Sequence, residues 1–74
     1  LERFEEAEKE YKKAIEINDD AEEHLYLALL YLKTNRIRKG KKELDIAYKL
    51  AIQNGRSDLI SLIENYQKKI NKQK

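Results

Sequence analysis

A single histidine, His24, lies among acidic residues and is the first candidate for chemistry in this chain of 74 residues. Its neighbours in sequence include Asp19, Asp20, Glu22 and Glu23. Imidazole and carboxylate groups bind metals or transfer protons, but either role needs several such groups to converge in a pocket. The sequence shows no such convergence. Because His24 also falls on an apolar stripe, we predict that it packs in a core, and we expect no metal site and no catalytic residue.

Five cationic residues fall within a stretch of seven in the middle of the chain. They are Arg36, Arg38, Lys39, Lys41 and Lys42. The start of a helix presents free N–H groups to anions, so cations there favour a phosphate, an acidic segment or an anionic lipid. Charge runs are also common on solvated helix faces. The segment is therefore a candidate anion-binding site, and simple solvation is the alternative.

The charges are unevenly distributed, although the formal net charge is only +2. Residues 1–23 hold ten acidic and four basic side chains, whereas residues 24–74 hold four and twelve. A weak net charge argues against nonspecific binding to nucleic acid. No apolar run is long enough to cross a bilayer, and no signal peptide is visible. We therefore expect neither a nucleic-acid nor a membrane partner, and we place the chain in the cytoplasm.

Apolar residues three and four positions apart predict four α-helices, at about residues 1–17, 20–34, 36–53 and 57–71. The links between them hold Asn, Asp and an Asn-Gly pair, which are residues typical of helix ends and turns. Links this short make consecutive helices antiparallel neighbours. The chain is thus predicted to be one all-α domain. Its second helix is apolar all round at residues 25–32, which predicts packing on several sides.

A pattern of bulky and small residues recurs after thirty-three positions. The motif A-x3-Y-x2-A at residues 7–14 returns as G-x3-L-x2-A at residues 40–47, and H-x2-L-A-x2-Y lies between them at residues 24–31. This order resembles the tetratricopeptide repeat, whose pattern is W-x2-L-G-x2-Y followed by A-x3-F over about 34 residues. The chain departs from the pattern with His24 for Trp, Ala28 for Gly, Gly40 for Ala and Leu44 for the aromatic residue.

The resemblance covers roughly the first fifty residues and implies an antiparallel helix-turn-helix repeat of the α-solenoid kind. It would comprise about one and a half repeats, followed by a capping helix whose outer face is polar. The chain opens at Leu1 without a methionine, and we take it as a fragment of a longer repeat protein. The function that the resemblance implies is protein–protein interaction or scaffolding.

One face of the second helix points away from the packing stripe. In the family, this face lines a groove that holds a partner segment. The resemblance therefore implies that the partner-binding residues are Glu22, Leu25, Tyr26, Leu29, Leu32 and Lys33. Apolar residues would form the floor of the site, and charges at its rim would set specificity.

Two other functions remain open on the sequence alone. The apolar stripe of the first helix lacks a preceding helix to cover it, so a second copy of the chain would complete it in a homo-oligomeric scaffold. Residues 36–42 would instead serve an anion, nucleic-acid or membrane contact. The sequence contains no phosphate-binding loop and no Ser/His/Asp pattern, so we expect neither an enzyme nor a cofactor.

Overall fold

The computed structural model describes residues 2–72, and within them the chain forms four α-helices and no β-strand. The helices are α1 (Glu2–Ile17), α2 (Ala21–Lys33), α3 (Ile37–Gln53) and α4 (Ser57–Lys72). The predicted all-α class with four helices is confirmed. Each described boundary lies within one residue of its predicted position, and the predicted start at Leu1 falls outside the described residues.

Three short links, residues 18–20, 34–36 and 54–56, connect the helices. The second and third links share one geometry. Asn35 and Gly55 have φ values of 63° and 66°, which is the left-handed conformation that closes many helix C-termini. The amide of Arg36 donates to the Tyr31 carbonyl at 2.8 Å, and the amide of Arg56 donates to the Ala51 carbonyl at 2.9 Å. These bonds satisfy carbonyls that a helix end would otherwise leave unpaired.

We expect Gly55→Ala to lower the free energy of unfolding by about 1 kcal/mol, because a Cβ is disfavoured in the left-handed conformation. Nothing lies within 4 Å of the added methyl group, so the loss would come from the backbone alone. Urea unfolding followed by circular dichroism measures it. Asn54→Ala is the matched control in the same link, because Asn54 has an ordinary φ of −94°. Equal unfolding midpoints for the two variants would contradict the prediction.

The buried side chains form two clusters, and α2 contributes to both. The larger cluster joins α2, α3 and α4 through Ala21, Leu25, Ala28, Leu44, Ala47, Ala51, Leu59 and Ile63. The smaller one joins α2 to α1 through Leu27, Leu30 and Tyr31, against which Ala7, Tyr11 and Ile15 pack. The apolar centre of α2 is thus covered on two sides, as its sequence predicts.

Helices α2 and α3 approach each other closely at Gly40. A Cβ at this position would lie 2.6 Å from Leu32 Cδ2 and 3.3 Å from the Ala28 carbonyl oxygen. The missing side chain therefore gives Leu32 the space that it occupies, and this explains a glycine in the interior of a helix, where it costs about 1 kcal/mol relative to alanine.

Polar contacts at Glu8 connect α1 to the rest of the molecule. The Tyr31 hydroxyl donates to Glu8 Oε2 at 2.9 Å, and Arg36 Nη1 donates to Glu8 Oε1 at 3.2 Å. The bond from Tyr31, helped by the charges of Lys12 and Arg36, lowers the pKa of Glu8. Glu8 therefore stays ionised and connects α1 to the C-terminal part of α2 and the residue before α3.

Candidate functional site

A third face of α2 is only partly covered, since Leu29 on it packs in part against the larger cluster. Its residues, Glu22, Tyr26, Leu29 and Lys33, repeat at steps of four, three and four, which places them on one side of the helix. Tyr26 is 44% exposed and Lys33 is also exposed, while Glu22 and Leu29 are half-buried. We call these four residues the α2 ridge. A groove runs along each side of it.

The α1/α2 groove is the smaller of the two, at about 210 Å³. It is lined by Phe4, Tyr11, Tyr26, Leu29, Leu30 and Lys33. The rings of Tyr11 and Tyr26 lie 6.0 Å apart between centroids with a tilt of 35°, which is a favourable aromatic separation. Phe4 is 37% exposed at the edge of the groove. The surface is therefore formed by three aromatic side chains and two leucines, with one cation at its border.

The α2/α4 groove is larger, at about 430 Å³, within the size range of ligand-binding clefts. It is lined by Leu29, Leu32, Lys33, Ile37, Tyr66, Lys69 and Ile70. Lys69 Nζ lies 5.8 Å from the centre of the Tyr66 ring, close enough for a cation–π interaction. Three helices thus contribute apolar side chains to one continuous floor.

The charged groups that line the α2/α4 groove are both cations, Lys33 and Lys69. Neither ammonium group forms an ion pair with a carboxylate whose side chain the structure describes. An apolar floor next to two such cations favours a ligand that combines apolar side chains with negative charge.

The predicted partner-binding residues do not all lie on this surface. Leu25 is only 2% exposed and belongs to the larger buried cluster. Its assignment to partner binding is therefore wrong, because its side chain is buried in the cluster that joins α2, α3 and α4. Leu32 is half-buried and lines the α2/α4 groove. Glu22 lies at the other end of the ridge, 3.5 Å from Arg56 Nη2.

The five cations of residues 36–42 do not converge on one site. Arg36, Arg38 and Lys39 border one shallow depression, whereas Lys41 and Lys42 border another together with Asp45. Two of the five have partners inside the molecule. Arg36 bonds to Glu8, and Lys39 Nζ lies 5.6 Å from the centre of the Tyr31 ring. The segment therefore offers scattered positive charge rather than a pocket for an anion.

His24 is buried, as predicted, but it also bridges two carboxylates. Its Nδ1 lies 2.7 Å from Glu43 Oε1, and its Nε2 lies 2.6 Å from Asp19 Oδ1. A neutral imidazole has only one N–H, whereas both nitrogens here face acceptors, so the geometry favours the imidazolium form. Burial opposes the charge, but the hydrogen bonds to Glu43 and Asp19 outweigh it and raise the pKa of His24.

Asp19 therefore bonds to His24, whereas the side chain of Asp20, at the N-cap of α2, makes no capping hydrogen bond. Sequence reasoning did not pair Glu43 with His24, since nineteen residues separate them. The contact depends on the register of α3 against α2. Among residues 2–72, no group of three or more metal-ligating side chains is placed to hold a metal ion.

The groove residues of α4, Tyr66, Lys69 and Ile70, were also missed. Tyr66 and Ile70 fall on the apolar stripe of α4 and both pack partly against the core, so their spacing gave no sign of a second role. None of the described helices combines the length and apolarity required to cross a bilayer.

Comparison with models of known protein families, with curated proteins and with solved structures finds no match for this chain.

Proposed function

We propose that the chain is a protein-interaction module whose α2/α4 groove binds an apolar peptide segment that carries an acidic residue. The observation behind this proposal is the groove itself, which has a volume of about 430 Å³, an apolar floor, and Lys33 and Lys69 at its border. Apolar clefts bordered by a few charged groups are typical of ligand-binding sites. The partner's apolar side chains would contact Leu29, Leu32 and Ile37, and its carboxylate would lie near the two lysines.

We further propose that the module is a tetratricopeptide-type fragment, as its repeated motif implies. Small residues of the motif, Ala28 and Gly40, lie where α2 and α3 approach closely, which is the role that they have in a stack of helical hairpins. The outer face of α4 also supports this view. Its exposed residues Ser61, Glu64 and Lys68 are polar, as expected for a helix that ends such a stack.

A selection from displayed random peptides tests the proposed ligand chemistry. We expect the peptides enriched on the wild-type chain to combine Leu, Ile or Phe with Asp or Glu. Their affinities are then measured by fluorescence anisotropy on purified variants. Lys69→Glu should weaken binding by about tenfold or more, which corresponds to roughly 1.4 kcal/mol, because it replaces attraction by repulsion at the rim.

Lys68→Glu is the matched control, because it makes the same charge change on the exposed outer face of α4, beside Lys69 in sequence. We expect it to leave peptide affinity within about twofold of the wild-type value, since Lys68 does not line the groove and an exposed charge at its rim contributes little. Enriched peptides that lack acidic residues, or that bind the Lys69→Glu variant as tightly as wild type, would contradict the proposal.

A further inference from the structure

The α2 ridge is complementary to itself when it is read in opposite directions. It begins with an acid, Glu22, ends with a cation, Lys33, and carries Tyr26 and Leu29 between them. If two ridges lie antiparallel across a twofold axis, Glu22 of each copy faces Lys33 of the other. The same register places Tyr26 of each copy opposite Leu29 of the other, so every residue of the ridge gains a suitable partner.

We propose that two copies of this chain associate through their α2 ridges in this antiparallel arrangement. A twofold interface is isologous, so one surface serves both copies and each contact occurs twice. The exposure of Tyr26, at 44%, and of Phe4, at 37%, provides apolar area to bury. Antiparallel helices also bring the positive end of each helix dipole near the negative end of the other.

The order of the charges favours an antiparallel pair of ridges over a parallel pair or a contact between the ridge and α4. A parallel pairing in the same register would place Glu22 against Glu22 and Lys33 against Lys33, which repel. A head-to-tail contact with α4 would place the ridge on the exposed polar residues Ser61, Asn65 and Lys68. Glu22 accepts a hydrogen bond from Arg56 Nη2 at 3.5 Å. Its side chain is 41% exposed, so it can face Lys33 of a second copy while it keeps this contact.

The surface is small, so the dimer is weak. The ridge with Phe4 and Tyr11 is well below the roughly 20–30 residues per partner of a stable complex. We therefore expect association only at high protein concentration, on the order of 0.1–1 mM. Added salt should weaken it, because the two ion pairs lie at the exposed ends of the ridge.

Charge reversal at the two ends of the ridge tests the arrangement. In analytical ultracentrifugation, the mass of the wild-type chain should rise above that of the 8.8 kDa monomer as concentration increases. Glu22→Lys alone and Lys33→Glu alone should each remain monomeric, because like charges then face each other at both ends. A mixture of the two variants should associate, and so should the double variant, because opposite charges face each other again.

The outcomes distinguish this inference from the proposed function. Lys69→Glu should weaken peptide binding and leave self-association in place, since Lys69 lines the α2/α4 groove but does not belong to the α2 ridge. Leu29 and Lys33 belong to both surfaces, so the comparison rests on Lys69. Circular dichroism at each concentration checks that the variants are folded, because both reversals oppose the dipole of α2. A wild-type chain that stays monomeric up to about 1 mM, or folded single variants whose mixture fails to associate, would overturn the dimer. Neither result would contradict the proposal that the α2/α4 groove binds a peptide.

Discussion

Leu25→Ala is expected to lower the free energy of unfolding by about 3 kcal/mol, enough to leave a domain of this size largely or wholly unfolded. The side chain of Leu25 is 2% exposed in the cluster that joins α2, α3 and α4. Truncating a buried leucine removes its transfer free energy and leaves a cavity, which together cost about 2–5 kcal/mol. Short domains have little stability to lose. Circular dichroism in buffer without urea measures the helix that remains, and a urea titration measures the change in the free energy of unfolding where a folded population is left.

Leu62→Ala is the matched control, because it removes the same atoms from a leucine that is 41% exposed on α4. We expect its free energy of unfolding to stay within about 1 kcal/mol of the wild-type value, since an exposed side chain loses little burial. If Leu25→Ala unfolded at the wild-type urea concentration but no longer bound the selected peptides, Leu25 would be a surface residue after all.

The second large effect concerns pH. The protein should lose stability as pH rises above about 6.5, the ordinary pKa of histidine, because both ring nitrogens of His24 face carboxylates and favour the imidazolium form in the folded state. The folded-state pKa of His24 lies above its ordinary value of 6.5. The folded chain therefore binds this proton more tightly than the unfolded chain does. The resulting stability is fully present below about pH 6.5 and is lost as pH rises through the folded-state pKa.

Urea unfolding across this pH range measures the effect, with His24→Gln as the control. The chain has a single histidine, and the variant retains the terminal amine, so the difference between the two curves isolates His24. At pH 6 we expect His24→Gln to lower the free energy of unfolding by about 2 kcal/mol, since a hydrogen bond to a charged group contributes about 1.5–3 kcal/mol. Parallel curves for wild type and variant would show that folding does not raise the pKa of His24.

The helices were predictable because their signals are local. The spacing of apolar residues predicts each helix. Asn35 and the Asn54-Gly55 pair predict where α2 and α3 end, because Asn and Gly are the residues that adopt the left-handed conformation at helix ends. These features depend on residues a few positions apart. For the same reason, the short links and the antiparallel order of neighbours followed from the sequence.

The candidate site was less predictable, because it depends on how whole helices lie against one another. The apolar centre of α2 has three sides that look alike in sequence, so Leu25 was placed on the surface although it packs against the core. Likewise, the bond between His24 and Glu43 depends on the register between α2 and α3. Lys69 joins Lys33 in one groove only because α4 comes to lie beside α2.

The absence of a side chain at Gly40 also bears on the α2/α4 groove. Leu32 Cδ2 occupies the space that a Cβ at position 40 would need, and the same leucine lines the α2/α4 groove. A methyl group added at position 40 would therefore push Leu32 toward the groove and make it shallower. The contour of the proposed binding surface thus depends on Gly40, a buried residue on the inner side of Leu32. A larger side chain at position 40 would therefore require a smaller side chain at position 32.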